Sequence, residues 1–152
     1  LHIREITKKL ARLMRRTGFE TIRLGLETTD FEHRKDLDRK VTEQQFRIAV
    51  NNLLEAGFER RQIGAYLLVG LPDQDIKSAV SSVEVVKRSG ITPVLAHYTP
   101  IPGSRLWKKA VETSRFDLEA DPVFTNNALF PCRREEFSWD TLSRLKRLAT
   151  GQ

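Results

Sequence analysis

The stretch Leu67-Leu68-Val69-Gly70-Leu71-Pro72-Asp73-Gln74-Asp75 is an apolar run stopped by glycine and proline, with an acid on each side of Gln74. It reads as a buried strand, and the amphipathic pattern from Ile76 reads as a helix, so strand end, turn and helix start fall together. At such junctions in parallel α/β folds, exposed backbone N–H groups can hold polar or anionic ligand atoms. A second junction ends Arg23-Leu24-Gly25-Leu26-Glu27-Thr28. Arg23, Gly25 and Glu27 share one face of the alternating strand, and a carboxylate and a glycine there suggest a cavity wall. Burying Glu27 alone would be costly, which makes Arg23, on the same face, its candidate partner. A third junction ends with His97 and Tyr98 and runs into Pro100-Ile101-Pro102-Gly103-Ser104.

Each of these residues also has a plain structural reading. Asp73 and Asp75 are of the type that caps a helix, His97 suits a hydrogen-bonded wall, and an exposed edge strand explains Arg23 and Glu27 nearly as well. The single cysteine, Cys132, excludes an intramolecular disulfide and any metal site made only of thiolates within one chain. With 26 basic and 20 acidic residues the net charge is +6. The basic residues are dispersed among acids and lack interleaved aromatics, which favours a solvated exterior over a nucleic-acid surface. No apolar run approaches membrane-helix length and no secretory pattern opens the chain, so the expectation is a soluble, cytoplasmic protein without a membrane partner.

The elements that would position these residues alternate regularly. A helix is expected almost from Leu1, with Ile3, Ile6, Leu10 and Leu13 on one face and Gly18 after its end. A strand over Thr21 to Glu27 follows, then a long polar loop from Thr28 to Lys40 of the kind that carries binding groups. Thr42 and Gln45 have capping-box spacing before a helix that buries Phe46, Ala49, Val50, Leu53 and Leu54 and closes at Gly57. The strand Ile63 to Val69 comes next, then a helix capped by Asp75 that buries Ile76, Ala79, Val80, Val83 and Val86. A third strand is expected from Pro93 to Tyr98, followed by a short helix with Leu106, Trp107 and Val111. Ser138 caps a last helix bearing Trp139, Leu142, Leu145 and Ala149. The order predicts an α/β fold with right-handed crossovers and a parallel sheet. Residues 1–113 form its main part, and 114–152 form a tail whose terminal helix packs on the same domain, anchored by Phe116, Phe124, Phe130 and Trp139.

Taken in order, Arg23-Leu24-Gly25-Leu26-Glu27-Thr28, Leu68-Val69-Gly70-Leu71-Pro72, and Tyr98-Thr99-Pro100-Ile101-Pro102-Gly103-Ser104 with Leu106 and Trp107 resemble the later units of radical S-adenosylmethionine enzymes. The likeness is greatest to the Fe-S oxidoreductase branch associated with cobalamin-binding domains. It covers Leu1 to Trp107 and implies the C-terminal half of a partial (β/α) TIM-like barrel: three parallel strands alternating with helices, plus a C-terminal helical tail.

By that resemblance, Glu27 and Thr28 match the place that contacts the methionine or ribose of S-adenosylmethionine. Leu68, Gly70 and Asp73 match the adenine side, His97 and Tyr98 face adenine and substrate, and Arg23 is a substrate-side candidate. Tyr66 stands where the pattern has glycine, and Asp73 where it has glutamate. The family's Cys-x-x-x-Cys-x-x-Cys loop, which binds a [4Fe-4S] cluster, is absent. The resemblance therefore implies a piece of a longer enzyme, inactive alone, whose other half supplies the cluster, with cobalamin a possible further cofactor of the whole and the substrate unidentified. Self-association through the open strand edge is expected. The alternative is a stand-alone α/β binding module that recognises an acidic or phosphate-bearing partner.

Overall fold

The computed structural model describes residues 1–31, 41–133 and 137–151. The loop expected to carry binding groups falls outside the described residues from position 32 to position 40. The elements are α1 (Lys8–Arg16), β1 (Ile22–Glu27), α2 (Glu43–Glu55), β2 (Ile63–Val69), α3 (Ile76–Arg88), β3 (Thr92–His97), α4 (Trp107–Thr113) and α5 (Trp139–Thr150). The three strands form one parallel sheet in the order β1-β2-β3, with Ile22 opposite Ile63 and Gly64 opposite Thr92. This is an open, partial α/β barrel: helices alternate with parallel strands, and a C-terminal helix closes one side.

Local chemistry sets most element boundaries. Thr42 and Gln45 form a reciprocal capping box at α2, Asp75 accepts from the Ser78 amide at α3, and Ser138 accepts from the Thr141 amide at α5. Gly18 and Gly57 follow their helices with φ of 85° and 93°, the left-handed geometry that ends a helix at little cost to glycine. The first helix departs from the expected start. Thr7 caps it, so Ile3 to Glu5 form a separate 3-10 turn. Its buried face carries Ala11 and Met14, while Leu13 lies 52% exposed. β3 likewise starts at Thr92 and ends at His97, one residue earlier at each end than expected.

Packing follows the strand alternation. Ile22, Leu24, Leu26, Ile63, Ala65 and Leu67 are buried on the outer face under α1, α2 and α3, and form the largest apolar cluster with Phe46, Leu53, Val83 and Val86. Asn52 on α2 crosses this layer and donates Nδ2 to the Ile6 carbonyl at 2.7 Å, pinning the segment before α1. A second cluster joins Val69 and Ala79 to Phe130, Phe137, Leu142 and Leu145, so α5 packs over β3 and α3. The third joins Leu71, Tyr98, Ala110, Leu118 and Cys132. Of the expected tail anchors, Phe130 is buried, Phe116 and Phe124 stack at 5.6 Å, and Trp139 is 54% exposed. Trp139 contributes at its inner edge, with its ring 6.2 Å from that of Phe130. The deepest tail aromatic beside Phe130 is Phe137, which no helical periodicity marks.

The edge of β1 meets the start of the chain. The Leu1 ammonium donates to the Arg23 carbonyl at 2.7 Å, the Gly25 amide donates to the Leu1 carbonyl at 2.9 Å, and His2 bridges Gly25 in parallel sense. These bonds satisfy two backbone groups of the edge strand.

Candidate functional site

At the C-terminal ends of the strands, a cleft of about 310 Å³ is lined by Glu27, Leu68 and Tyr98 from the sheet and by Thr99, Ile101, Ser104, Arg105 and Leu106 from the β3–α4 connection. Three residues singled out from sequence thus meet in one place. The geometry at Glu27 is not a simple continuation of the strand. The register between β1 and β2 slips between Gly25 and Glu27, and Glu27 has a φ of 67°. A bulge of this kind re-aims a side chain at a strand end, and a left-handed non-glycine residue there carries a local conformational cost. Thr28 follows as a buried residue whose Oγ1 accepts from the Asp30 amide at 3.1 Å, while the Thr29 hydroxyl meets Ser82 Oγ at 3.1 Å.

The remaining candidates lie elsewhere. Arg23 Nη1 donates to the Ile22 carbonyl at 3.0 Å and to the Gln62 carbonyl at 3.4 Å, at the opposite end of the sheet from Glu27. The distance along the strand explains why the same-face relation does not place this guanidinium at the cleft. Asp73, with a φ of 58°, pairs with Lys109 of α4 at 3.1 Å and is largely exposed.

His97 and Tyr98, adjacent in sequence, point to opposite faces of the sheet. The His97 ring meets Phe130 edge-on at 5.0 Å on the outer, α5 side, and burial, then Lys146, lowers its pKa. Tyr98 belongs to the cleft side, and burial, then Cys132, pushes its pKa up to about 12. Its hydroxyl has no hydrogen-bond partner among the described residues. Cys132 is a buried thiol whose Sγ lies 3.7 Å from the Ala110 carbonyl, and burial pushes its pKa up to about 11. A thiol raised in this way is a packing residue rather than a nucleophile at neutral pH.

Gly70 is occupied structurally in two ways. The Gln74 amide group closes the β2–α3 turn: Oε1 accepts from the Gly70 amide at 2.8 Å and from the Leu71 amide at 3.4 Å, and Nε2 donates to the Leu68 carbonyl at 3.0 Å. The backbone donors expected to face a ligand there are already used inside the chain. In addition, a Cβ at Gly70 would stand 2.6 Å from Phe130 Cζ, and its φ is 82°. Glycine is therefore required by a left-handed turn and by the close seat of a tail aromatic. Gln74, flanked by the two acids, was the residue sequence reasoning passed over; its signal was a side chain with both donor and acceptor placed four residues after the turn glycine.

Other hollows have more ordinary explanations. In the cleft at the N-terminal end of β3, Arg60 Nη1 donates to the Ser89 carbonyl at 3.1 Å and Lys87 Nζ to the Leu148 carbonyl at 2.7 Å. Both cations offset carbonyls at helix C-termini. Among the described residues, no cluster of three or more His, Cys, Asp or Glu could hold a metal ion, and no helix is long and apolar enough to cross a membrane.

Open parallel topology, alternating helices and a cleft at the strand C-termini define a partial-barrel α/β protein. Its fold is similar to that of coproporphyrinogen III oxidase (HemN) from Escherichia coli, a radical SAM enzyme, with a TM-score of 0.62 and 19% sequence identity. The match covers 97% of this chain and 31% of that chain. The likeness is one of fold, and the chain spans less than a third of the HemN chain it matches. No protein-family model and no curated protein sequence matches the chain.

Proposed function

We propose that the chain contributes the adenosine side of an S-adenosylmethionine site within a longer radical SAM-type enzyme. The observation that carries this reading is the convergence of Glu27, Leu68 and Tyr98 on one cleft at the strand C-termini of a fold similar to HemN. Leu68, partly buried against the third apolar cluster, offers an apolar wall for a purine face. Glu27 offers carboxylate oxygens to accept from ribose hydroxyls, and charge-assisted hydrogen bonds of that kind are the stronger ones.

A nucleoside fits this donor set, whereas a [4Fe-4S] cluster does not. The sole cysteine is buried, has a raised pKa and points at a backbone carbonyl, and one thiolate cannot replace three. The cluster ligands of such an enzyme would come from outside this chain, and the chain by itself would not carry out reductive cleavage. Loss of the metal-held part of the cofactor leaves binding at about millimolar strength, since each 1.4 kcal/mol of lost contact weakens affinity about tenfold.

Amide-resolved NMR titration with 5′-deoxyadenosine tests the reading. Shifts are expected at Glu27, Leu68, Tyr98 and Thr99, and Glu27→Ala should weaken binding about fivefold, the effect of one hydrogen bond worth roughly 1 kcal/mol. Shifts confined to the groove between α2 and α3, at Phe46 and Val85, would sink it, as would an unaffected Glu27→Ala chain.

A further inference from the structure

Between α4 and α5 the chain makes a detour whose ends are tied together: the Arg115 amide donates to the Pro131 carbonyl at 3.0 Å. Within it, the side chains of Asp117, Asp121 and Asn126 accept from the amides of Glu119, Val123 and Ala128, and the rings of Phe116 and Phe124 stack at 5.6 Å. This is an Ω-loop, folded upon its own side chains. Among the described residues, the hydrogen bonds of residues 116–129 run only to residues 114–130. Leu118 is the single buried residue of that stretch.

What the loop covers is less self-sufficient. Leu118 and the half-buried Phe124 pack with Leu71, Tyr98, Ala110 and Cys132. Tyr98 also borders the cleft, so it forms the partition between the cleft and the space under the loop. It is 7% exposed, and its enclosed hydroxyl has no hydrogen-bond partner among the described residues. A buried hydroxyl with nothing to bond destabilises the closed arrangement, and hydration or an acceptor relieves it. Phe130, at the far end of the loop, is fixed by its seat on Gly70 and by its ring neighbours His97 and Phe137. Any yielding therefore falls to residues 116–129.

We propose that residues 116–129 form a lid that opens locally, pivoting between Arg115 and Phe130, and joins a compartment behind Tyr98 to the cleft. A segment with one buried apolar anchor and hydrogen bonds that stay internal opens at a lower free energy than the sheet unfolds. The compartment is walled by the apolar side chains of Leu71, Ala110 and Leu118, and the Cys132 thiol is engaged with the Ala110 carbonyl at 3.7 Å. The Tyr98 hydroxyl is thus the donor left for a ligand. The compartment suits an apolar group that bears one hydrogen-bond acceptor, of which a ketone is the simplest case. This role lies behind Tyr98, and it holds whatever the Glu27 side of the cleft binds.

Cys132, the sole cysteine and buried under the lid, reports the opening through its rate of reaction with dithiodipyridine, an uncharged thiol reagent. Labelling of the folded chain should depend little on urea below the unfolding transition, because a local opening exposes little surface. Tyr98→Phe removes the unpaired hydroxyl from the closed form and should slow labelling at least about fivefold. Phe124→Ala loosens the lid and should speed labelling about tenfold. In amide-resolved NMR, cyclohexanone should shift Ala110, Leu118 and Cys132, and should bind at least about fivefold more weakly to Tyr98→Phe. The proposal is overturned if labelling follows the full urea dependence of global unfolding, or if either variant labels at the native rate. It is also overturned if cyclohexanone leaves these three amides unmoved, or binds Tyr98→Phe as well as it binds the native chain.

Discussion

Substituting Gly70 by alanine separates the two reasons for a glycine at the β2–α3 turn. The first is conformational: at a φ of 82° an L-residue pays about 1–2 kcal/mol for the left-handed region. The second is steric, because the new methyl would stand 2.6 to 2.9 Å from three atoms of the Phe130 ring. That ring cannot easily yield, being buried and hemmed by His97, Phe137 and Trp139 at centroid distances of 5.0, 6.3 and 6.2 Å. Overpacking of this sort costs about 1–3 kcal/mol, so Gly70→Ala should destabilise the chain by roughly 2–5 kcal/mol in urea denaturation. Phe130→Leu shortens the opposing side chain and should relieve the steric part while leaving the conformational part. A double-mutant cycle should therefore show a coupling of about 1–3 kcal/mol in the sense that the double variant loses less than the sum. Additivity within about 0.5 kcal/mol would refute the seating of Phe130 on Gly70.

Asn52→Ala should cost about 1–3 kcal/mol in the same assay, because it leaves the buried Ile6 carbonyl without its donor. Asp73→Asn keeps a residue tolerant of positive φ and removes only an exposed ion pair, so stability should change by less than about 1 kcal/mol; a larger loss would mean that the pair with Lys109 matters more than its exposure implies. His97 has a lowered folded-state pKa, so below the unfolded value of about 6.5 the unfolded chain takes up the proton first and stability falls with falling pH. Denaturation midpoints measured from about pH 7 down to about pH 5 should drop more steeply for the native chain than for His97→Asn, and parallel profiles would contradict this.

What the sequence disclosed well was local. The caps at Thr42, Asp75 and Ser138 and the glycine stops at Gly18 and Gly57 depend on a few neighbouring residues, and they fell where their spacing put them. The alternation of Ile22, Leu24 and Leu26 correctly marked a one-sided strand. Ile3 and Ile6 imitate helical spacing, yet Thr7 offers a cap that starts α1 later and turns its face from Leu13 to Ala11 and Met14. The less legible features depend on contacts between distant parts of the chain. Nothing near Glu27 announces the register slip against β2, which comes from pairing with residues about 40 positions away. Nothing near Gly70 announces Phe130, and the opposite placement of His97 and Tyr98 matters only because α5 covers one face of β3. The cleft was approached through Glu27, Leu68 and Tyr98, but Arg105 entered it only once the β3–α4 connection was folded back beside the strand ends.

The two faces of β2 have unequal duties. Ile63, Ala65, Leu67 and Val69 are enclosed by helices, whereas Tyr66 on the other face is 42% exposed and Leu68 borders the cleft. Every second position is thus constrained by volume, since a lost or added methylene there disturbs a close-packed layer. Tyr66 and Leu68 contribute little to that layer, whereas Gly64 on the same face is buried, and a Cβ there would stand 3.1 Å from Val94 Cγ2. Substitutions at Tyr66 and Leu68 therefore disturb that layer less than substitutions at their immediate neighbours.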